Sequence, residues 1–251
     1  MIRIAAVGDV HVDRDTQGRF RPAMERVDEH ADVLLLAGDL SNHGTLAEAR
    51  AVVEEFRDLP VPVIGVLGNH DHHDDRPEEF ADVLREGGLQ ILEGNTTVVS
   101  VGQERLGVAG VKGFGGGFAG RCGSSFGERE MKAFIDHSRQ LADSLEHALH
   151  ALDADQRVAL THYSPVPDTV RGEPPEIHPF LGTHMLAGAI DAAAVDLAVH
   201  GHAHYGTERG TTPGGVPVRN VAQPVLGEPF AKYRLGTADS IDTTEPVDAS
   251  P

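Results

Sequence analysis

Five short blocks hold the residues able to do chemistry: Gly8-Asp9-Val10-His11, Gly38-Asp39-Leu40, Gly68-Asn69-His70-Asp71, Thr161-His162-Tyr163 and Gly201-His202-Ala203-His204. Between them they offer imidazoles, carboxylates and one amide. That mixture suits Mn, Fe or Zn better than the all-oxygen shell of Ca or the thiolate shell of structural Zn. Cys122 is the single cysteine, which excludes a thiolate cluster and any intrachain disulfide. The side chains Asp9, His11, Asp39, Asn69, His162, His202 and His204 are too many for one ion. They would serve two ions about 3.5 to 4 Å apart if one carboxylate bridged, and such a pair can grip both the attacking and the leaving oxygen of a phosphoryl centre. Any one of these residues alone is more often a helix cap or turn former than a ligand, so the reading rests on the set.

The blocks must be positioned by the elements before them. Each follows a short apolar run: Ile2 to Val7, Val33 to Ala37, Val61 to Leu67, Val158 to Leu160 and Val195 to Val199. Such runs read as buried strands. Helical spacing appears between them, with Leu46, Ala49, Val52, Val53 and Phe56 forming one stripe and Phe134, Leu141, Leu145 and Leu149 another. Alternating strands and helices predict an α/β fold, in which ligands collect at the carboxyl ends of the strands. Thr96 to Val101, Arg105 to Val111 and Val216 to Ala222 read as strands without intervening helices, predicting a second, more antiparallel portion. Residues 1–236 are expected to form a single domain. Residues 237–251 have little to bury and are expected to be a disordered tail.

In order and content the five blocks resemble the signature of the calcineurin-like metallophosphoesterases, which is Asp-x-His, Gly-Asp, Gly-Asn-His-Asp/Glu, a lone His and Gly-His-x-His. The resemblance spans roughly Ile2 to Ala222. It implies a layered α/β/β/α sandwich of mixed sheets with the helices outside. It also implies that Asp9, His11, Asp39 and His204 hold one ion, and that Asp39, Asn69, His162 and His202 hold the other, with Asp39 as the bridge. The cofactors would be two divalent or mixed-valence metal ions (Mn, Fe or Zn). His70 would stand beside the leaving group as acid or charge stabiliser, and Asp71 would orient its ring. The implied activity is hydrolysis of phosphate esters, small phosphodiesters foremost, by in-line attack of a metal-bound water without a covalent enzyme intermediate. A phosphomonoesterase with the same site and a catalytically silent metal-binding scaffold are the alternatives. His70 and Asp71 argue against the scaffold, because metal binding alone requires neither. One departure stands in the second block, where Asn42 occupies a place at which some members carry Asp or Arg.

Composition narrows the partners. Lys and Arg number 21 against 39 Asp and Glu, a net charge of -18. This opposes the counterion release that drives binding to nucleic-acid backbone, so a small phosphate ester is expected rather than a duplex. The first residues lack a signal-peptide pattern and no apolar run reaches transmembrane length, so the expected address is cytoplasmic, without a membrane partner. Gly115, Gly117 and Gly120 match G-x-G-x-x-G within a run so glycine-rich that a match carries no weight. Ser125 in Gly-Ser-Ser-Phe-Gly matches G-x-S-x-G but lacks the strand that a nucleophile elbow requires. Residues 112–127 are instead expected to be a mobile loop over the metals, with Lys112 or Arg121 available to a substrate phosphate. His43, His72, His73, His178, His184 and His200 are left outside the ligand set, with His200 expected to be a buried structural residue.

Overall fold

The computed structural model describes residues 1–236; the expected tail, 237–251, lies outside the described residues. In chain order the strands are β1 (Ile2–Val7), β2 (Val33–Ala37), β3 (Val63–Val66), β4 (Gln90–Ile91), β5 (Asn95–Val101), β6 (Glu104–Val111), β7 (Gly117–Phe118), β8 (Arg121–Cys122), β9 (Gln156–Thr161), β10 (Leu197–His200), β11 (Arg209–Thr211), β12 (Pro217–Asn220) and β13 (Ala231–Leu235). The α-helices are α1 (Arg21–Met24), α2 (Leu46–Phe56), α3 (Pro77–Glu86), α4 (Arg129–Ala151), α5 (His178–Leu181), α6 (His184–Asp191) and α7 (Gln223–Leu226).

Two sheets form the centre. One runs β13-β1-β2-β3-β4 and the other β11-β12-β10-β9-β6-β5, with β7 and β8 making a separate hairpin. Side chains alternate across each strand, so each sheet has an inner and an outer apolar face. The inner faces meet through Ile4, Ala6, Leu35 and Ile64 from one sheet and Val108, Val158, Leu160 and Val199 from the other. Outside the first sheet, Val7, Leu34 and Leu36 join Met24, Val52, Phe56, Phe80 and Leu84 of α1, α2 and α3. Outside the second, Ala109, Ala159 and Ala198 join Leu145, Leu149, Leu186 and Ile190 of α4 and α6. The layers are therefore helix, sheet, sheet, helix. Strands buried on both faces must be apolar throughout, which is why these runs show no polar alternation.

The second sheet is less antiparallel than its helix-free strands suggest. β12, β10, β9 and β6 are mutually parallel, and only the edge pairs β11–β12 and β5–β6 are antiparallel. Hairpin-like spacing in the sequence reports the partner that follows in the chain. It is silent on β6 joining β9 across α4, or β12 joining β10. Helix α4 packs on β5, β6, β9 and α6, so its apolar stripe is taken up by the core. No described helix is long and apolar enough to cross a membrane.

Helix α2 starts at a capping box. Glu48 donates its backbone N–H to the Thr45 hydroxyl at 3.2 Å, and the Glu48 carboxylate accepts from Thr45 N–H at 3.3 Å. Farther along α2, Glu55 is buried and accepts the backbone N–H groups of Gly18, Phe20 (3.1 Å) and Arg21 (2.7 Å). It thereby anchors the segment that follows His11. Removing an acceptor from buried donors costs more than the bond itself. Glu55→Ala is expected to lower unfolding free energy by about 2 to 4 kcal/mol, measured by urea denaturation of metal-free protein, with Glu55→Gln losing less because an amide oxygen remains.

Candidate metal centre

Strands β1, β2 and β3 of the first sheet and β9 and β10 of the second deliver their following residues to one rim. The rim is stitched both across and within the sheets. His162 Nδ1 donates to the Ala37 carbonyl at 2.9 Å, Gly201 N–H to the His162 carbonyl at 3.1 Å, and His202 N–H to Asp9 Oδ2 at 2.9 Å. Two sets of donor atoms result, each within 4.8 Å: Asp9, His11, Asp39 and His204, and Asp39, His162 and His202. Asn69 adds to the second set, its Oδ1 lying 2.9 Å from His162 Nε2. The structure thus brings all seven expected ligands together, with Asp39 common to both sets.

The backbone at these positions is unusual. Asp9, His11, Asp39 and His202 have φ of 56°, 45°, 49° and 71°. A left-handed conformation costs a non-glycine residue roughly 1 kcal/mol or more, and Asp and His are among the types that tolerate it best. Concentration of such residues at one place marks a site whose geometry the surrounding structure over-determines. Two glycines make room. A Cβ on Gly68 would stand 2.0 Å from Asp39 Oδ1, and one on Gly201 would stand 2.3 Å from Asp9 Oδ2. These glycines are required because a carboxylate occupies the space where a side chain would begin.

The electrostatics point to a cation. Asp9 and Asp39 are both buried. Burial, then the neighbouring charges of Asp9 and Asp71, raise the Asp39 carboxyl well above its ordinary range. Burial also raises Asp9, but the hydrogen bond from His204 and the nearby His162 bring it net below the usual value. Burial holds His162 well below an ordinary imidazole and His11 and His202 down to about 4, so these rings are neutral with lone pairs free. His162 commits Nδ1 to Ala37, leaving Nε2 facing Asn69 Oδ1 and, at 3.3 Å, Asp39 Oδ1. His202 donates Nε2 to the Phe180 carbonyl at 3.3 Å, leaving Nδ1 for the centre. Both ring nitrogens of His11 are buried without any partner. Acceptors converging on acceptors, two close carboxylates and an orphaned ring fit divalent metal ions and are costly without them.

His70 lies at the same rim. Its ring makes a T-shaped contact with His11 at 4.5 Å, and Nε2 is 3.9 Å from Asp39 Oδ2. The expectation that Asp71 orients this ring is overturned. His70 Nδ1 donates to the main-chain carbonyl of Asn42 at 2.8 Å. Asp71 is fully buried and accepts from Gly68 N–H (2.8 Å), Leu40 N–H (3.1 Å), Ser41 N–H (2.8 Å) and the Ser41 hydroxyl (2.8 Å). With its acceptor capacity consumed, it is a strut joining the loops that carry Asp39 and Asn69. Because a carbonyl serves His70, the side-chain identity at Asn42 does not decide the ring's orientation.

Histidines left outside the ligand set have partners of their own. His43 pairs with Glu48 at 2.9 Å, while His178 and His184 donate to the carbonyls of Glu173 and Gly117. His200 is buried between the Gly201 carbonyl and the Thr169 hydroxyl, each at 2.7 Å. The glycine-rich segment is a pinned hairpin rather than a free loop. Gly116 and Gly117 N–H groups bond the carbonyls of Pro179 and Gly182, and the Ser138 hydroxyl bonds that of Gly115. Arg121 sits exposed on β8. The Asn42, Ala37 and Phe180 carbonyls are functional groups with no signal in the sequence, since any residue supplies a carbonyl.

A family model described as calcineurin-like phosphoesterase matches residues 2–206, and the chain belongs to that family of phosphoester hydrolases. Three solved structures share the fold. A phosphopantetheinyl hydrolase from Mycobacterium tuberculosis aligns at 16% identity over 87% of this chain and 88% of its own, with a TM-score of 0.60. TT1561 of Thermus thermophilus aligns at 17% identity over 92% and 93%, with a TM-score of 0.57. A 5'-nucleotidase, so described provisionally, from Staphylococcus aureus aligns at 16% identity over 87% of this chain and 48% of its own, with a TM-score of 0.53. No curated protein matched the sequence.

Burial lowers the His200 pKa from 6.5 to about 4. The unfolded chain therefore takes up this proton first as pH falls, and the stability owed to neutral His200 is full above pH 6.5 and lost on the way down to about 4. In metal-free protein, the stability advantage of wild type over His200→Gln should shrink by on the order of 3 kcal/mol across that window. Denaturation midpoints measured at a series of pH values test this, and a constant difference would refute it.

Proposed function

We propose that this hydrolase binds two metal ions and cleaves small phosphodiesters. The observation that carries the reading is Asp39, whose carboxylate belongs to both donor sets while His70 stands beside it. Asp9, His11, Asp39 and His204 would hold one ion, and Asp39, Asn69, His162 and His202 the other. Bound there, two divalent ions supply an acidified water and neutralise charge on the phosphoryl oxygens.

The chain's own groups do the rest. Asn42 fixes His70 Nδ1 as a donor, so Nε2 is the atom turned towards the centre. The His70 side chain is 40% exposed, so a substrate oxygen can reach it. As the imidazolium it can give a proton or a hydrogen bond from Nε2 to the departing oxygen. Asp71 holds Gly68, Leu40 and Ser41 in place and thereby keeps Asn69 and Asp39 in register. Space supports a diester. A cleft is lined by Asn42, His43, Asn69, His70 and His73, and the exposed Phe180, whose carbonyl bonds His202, and Tyr205, which follows His204, offer further apolar surface. One ester substituent can lie along each. The net charge of -18 favours small substrates drawn by the local field of the centre over polymeric anions.

Chelator-stripped protein should be inactive on an aryl phosphodiester, regain turnover with Mn2+, and take up two ions per chain by elemental analysis. His70→Ala should retain both ions while kcat falls by about 10² to 10⁴. Ser125→Ala should match wild type. Metal-independent turnover, or an undiminished His70→Ala, would defeat the reading, and faster cleavage of the matched monoester would move it to the phosphomonoesterase.

A further inference from the structure

Helix α5 is a single turn, and the last carbonyls of a helix have no partners within it. Here the four successive carbonyls from Pro179 to Gly182 are each taken by another part of the chain. Pro179 accepts from Gly116 N–H (2.6 Å), Phe180 from His202 Nε2 (3.3 Å), Leu181 from Ser164 N–H (3.0 Å) and Gly182 from Gly117 N–H (2.9 Å). Glycine permits the approach, since a Cβ on Gly115 would stand 2.7 Å from the Pro179 carbonyl oxygen and 3.1 Å from Phe180 Cα. Leu181 is buried with Phe118, Val170 and Ala203, the residue between His202 and His204. The backbone at Phe180 is thus fixed against the block that carries two candidate ligands, and one of those ligands bonds Phe180 itself.

The side chain is left in the open. Phe180 is 59% exposed although Leu181 beside it is buried. Its ring ends a row that begins at the candidate centre, with ring centres 4.3 Å apart from His202 to Tyr163, 5.7 Å from Tyr163 to Phe114, 5.0 Å from Phe114 to Phe134 and 6.2 Å from Phe134 to Phe180. Tyr163 is buried, Phe114 and Phe134 are half-buried, and the Lys112 ammonium lies 5.2 Å and 5.4 Å from the Phe114 and Tyr163 ring centres. Phe180 is the one exposed residue of the row. Tyr205, directly after His204, repeats the pattern. The buried Glu173 carboxylate accepts its N–H at 2.8 Å, and its carbonyl stands where a side chain on Gly172 would begin, yet the residue is 77% exposed. Apolar residues exposed singly are ordinary. Two aromatic residues with pinned backbones, one bonded to a candidate ligand and one adjoining another, are not scattered. A ring whose backbone is already fixed loses little further freedom when a ligand covers it.

We propose that Phe180 and Tyr205 form the specificity surface for the organic substituent of the substrate, and that this substituent is a planar aromatic ring. The proposal rests on the dinuclear reading above and deepens it. Two metal ions recognise the phosphoryl group alone, so discrimination among small esters falls to the side chains that its substituent meets. A planar ring stacks offset or edge-on against Phe and Tyr, and gains from the ring quadrupoles what a saturated group of the same size cannot.

The test is calorimetric titration of Mn2+-loaded protein with methylphosphonate, phenylphosphonate and cyclohexylphosphonate, whose P–C bonds are not hydrolysed, at a pH where all three are dianions. Wild type should bind phenylphosphonate about tenfold more tightly than methylphosphonate and about threefold or more tightly than cyclohexylphosphonate. Phe180→Ala keeps the carbonyl that bonds His202, so it should hold methylphosphonate within about twofold of wild type while its preference for phenyl over methyl falls to under about threefold. Phe180→Tyr should keep the preference, and Tyr205→Ala should lose part of it. Equal binding of the phenyl and cyclohexyl ligands, a phenyl preference that survives in the Phe180→Ala, Tyr205→Ala double variant, or equal losses for the phenyl and methyl ligands would overturn the surface. Absence of methylphosphonate binding to loaded wild type would instead overturn the dinuclear reading, and the surface with it.

Discussion

Two buried carboxylates held together at the rim of two sheets are the constraint on which the rest of the structure depends. Asp9 and Asp39 repel one another, and burial removes the water that would screen them. The folded chain offsets this in part with the His204 and His202 hydrogen bonds to Asp9 and the His70 N–H bond to Asp39. Positive charge between the carboxylates would remove the remainder. Much local structure follows from that requirement. Four of the candidate ligand residues take left-handed backbone, and Gly68 and Gly201 leave out the Cβ atoms that would strike the carboxylates. A penalty of about 1 kcal/mol at each of four positions is a large share of a typical net stability of about 5 to 15 kcal/mol. Such a cost persists only where the scaffold forces it.

The scaffold can force it because the rim is tied across the sheets as well as within them. Ala37 ends β2 and receives the ring of His162, which follows β9; the Gly38 carbonyl accepts Asp9 N–H at 2.9 Å. Asp71 binds the loop after β2 to the loop after β3 through three N–H groups and a hydroxyl. Each tie uses a group that would otherwise be an unsatisfied buried polar atom, so loosening one loop strands a donor or acceptor in another. Packing of Leu35, Ile64, Val108 and Leu160 between the sheets then sets the distance between the two halves of the centre. Inter-sheet core residues therefore act on the chemistry at a distance.

Much of this was legible in the sequence, for identifiable reasons. Apolar runs ending at Gly-Asp or Gly-Asn announce strands and their functional ends together, because buried parallel strands cannot alternate and because another group stands where a Cβ would begin: Ala37 at Gly8, the His162 ring at Gly38 and the Asp39 carboxylate at Gly68. The layers were legible from the helical stripes, such as Val52 and Phe56 in α2 and Leu145 and Leu149 in α4. What stayed hidden was whatever a main chain supplies. Asn42 orients His70 through its carbonyl, whereas the residue types alone point to the nearest carboxylate, Asp71. The lone pairs of Asp71 are instead consumed by the N–H groups of Gly68, Leu40 and Ser41, which leave no trace in composition. Long-range strand order was hidden likewise, since β6 meets β9 only after the whole of α4. The glycines of residues 113–117 suggested looseness, yet their N–H groups and carbonyls are what pin the hairpin to α5 and Ser138.

A chain with a net charge of -18 that acts on anions must separate its global field from its local one. The acidic surface is spread over exposed helices and turns, many of its carboxylates paired with arginines three or four residues away, as in Arg26 with Glu29 and Arg76 with Glu79. Such solvated charges are screened within about 8 to 10 Å at physiological ionic strength. Charges at the rim are screened less, because low-dielectric walls of the two cores stand behind them. A cation placed between Asp9 and Asp39 would therefore govern the potential that a nearby phosphate feels, despite the excess of negative charge elsewhere. Under the proposed small-ester function, the same screening would make selection steep with size. A small ester enters the local field with few charges left outside, whereas each further phosphate of a polymer would lie over acidic surface with nothing to neutralise it.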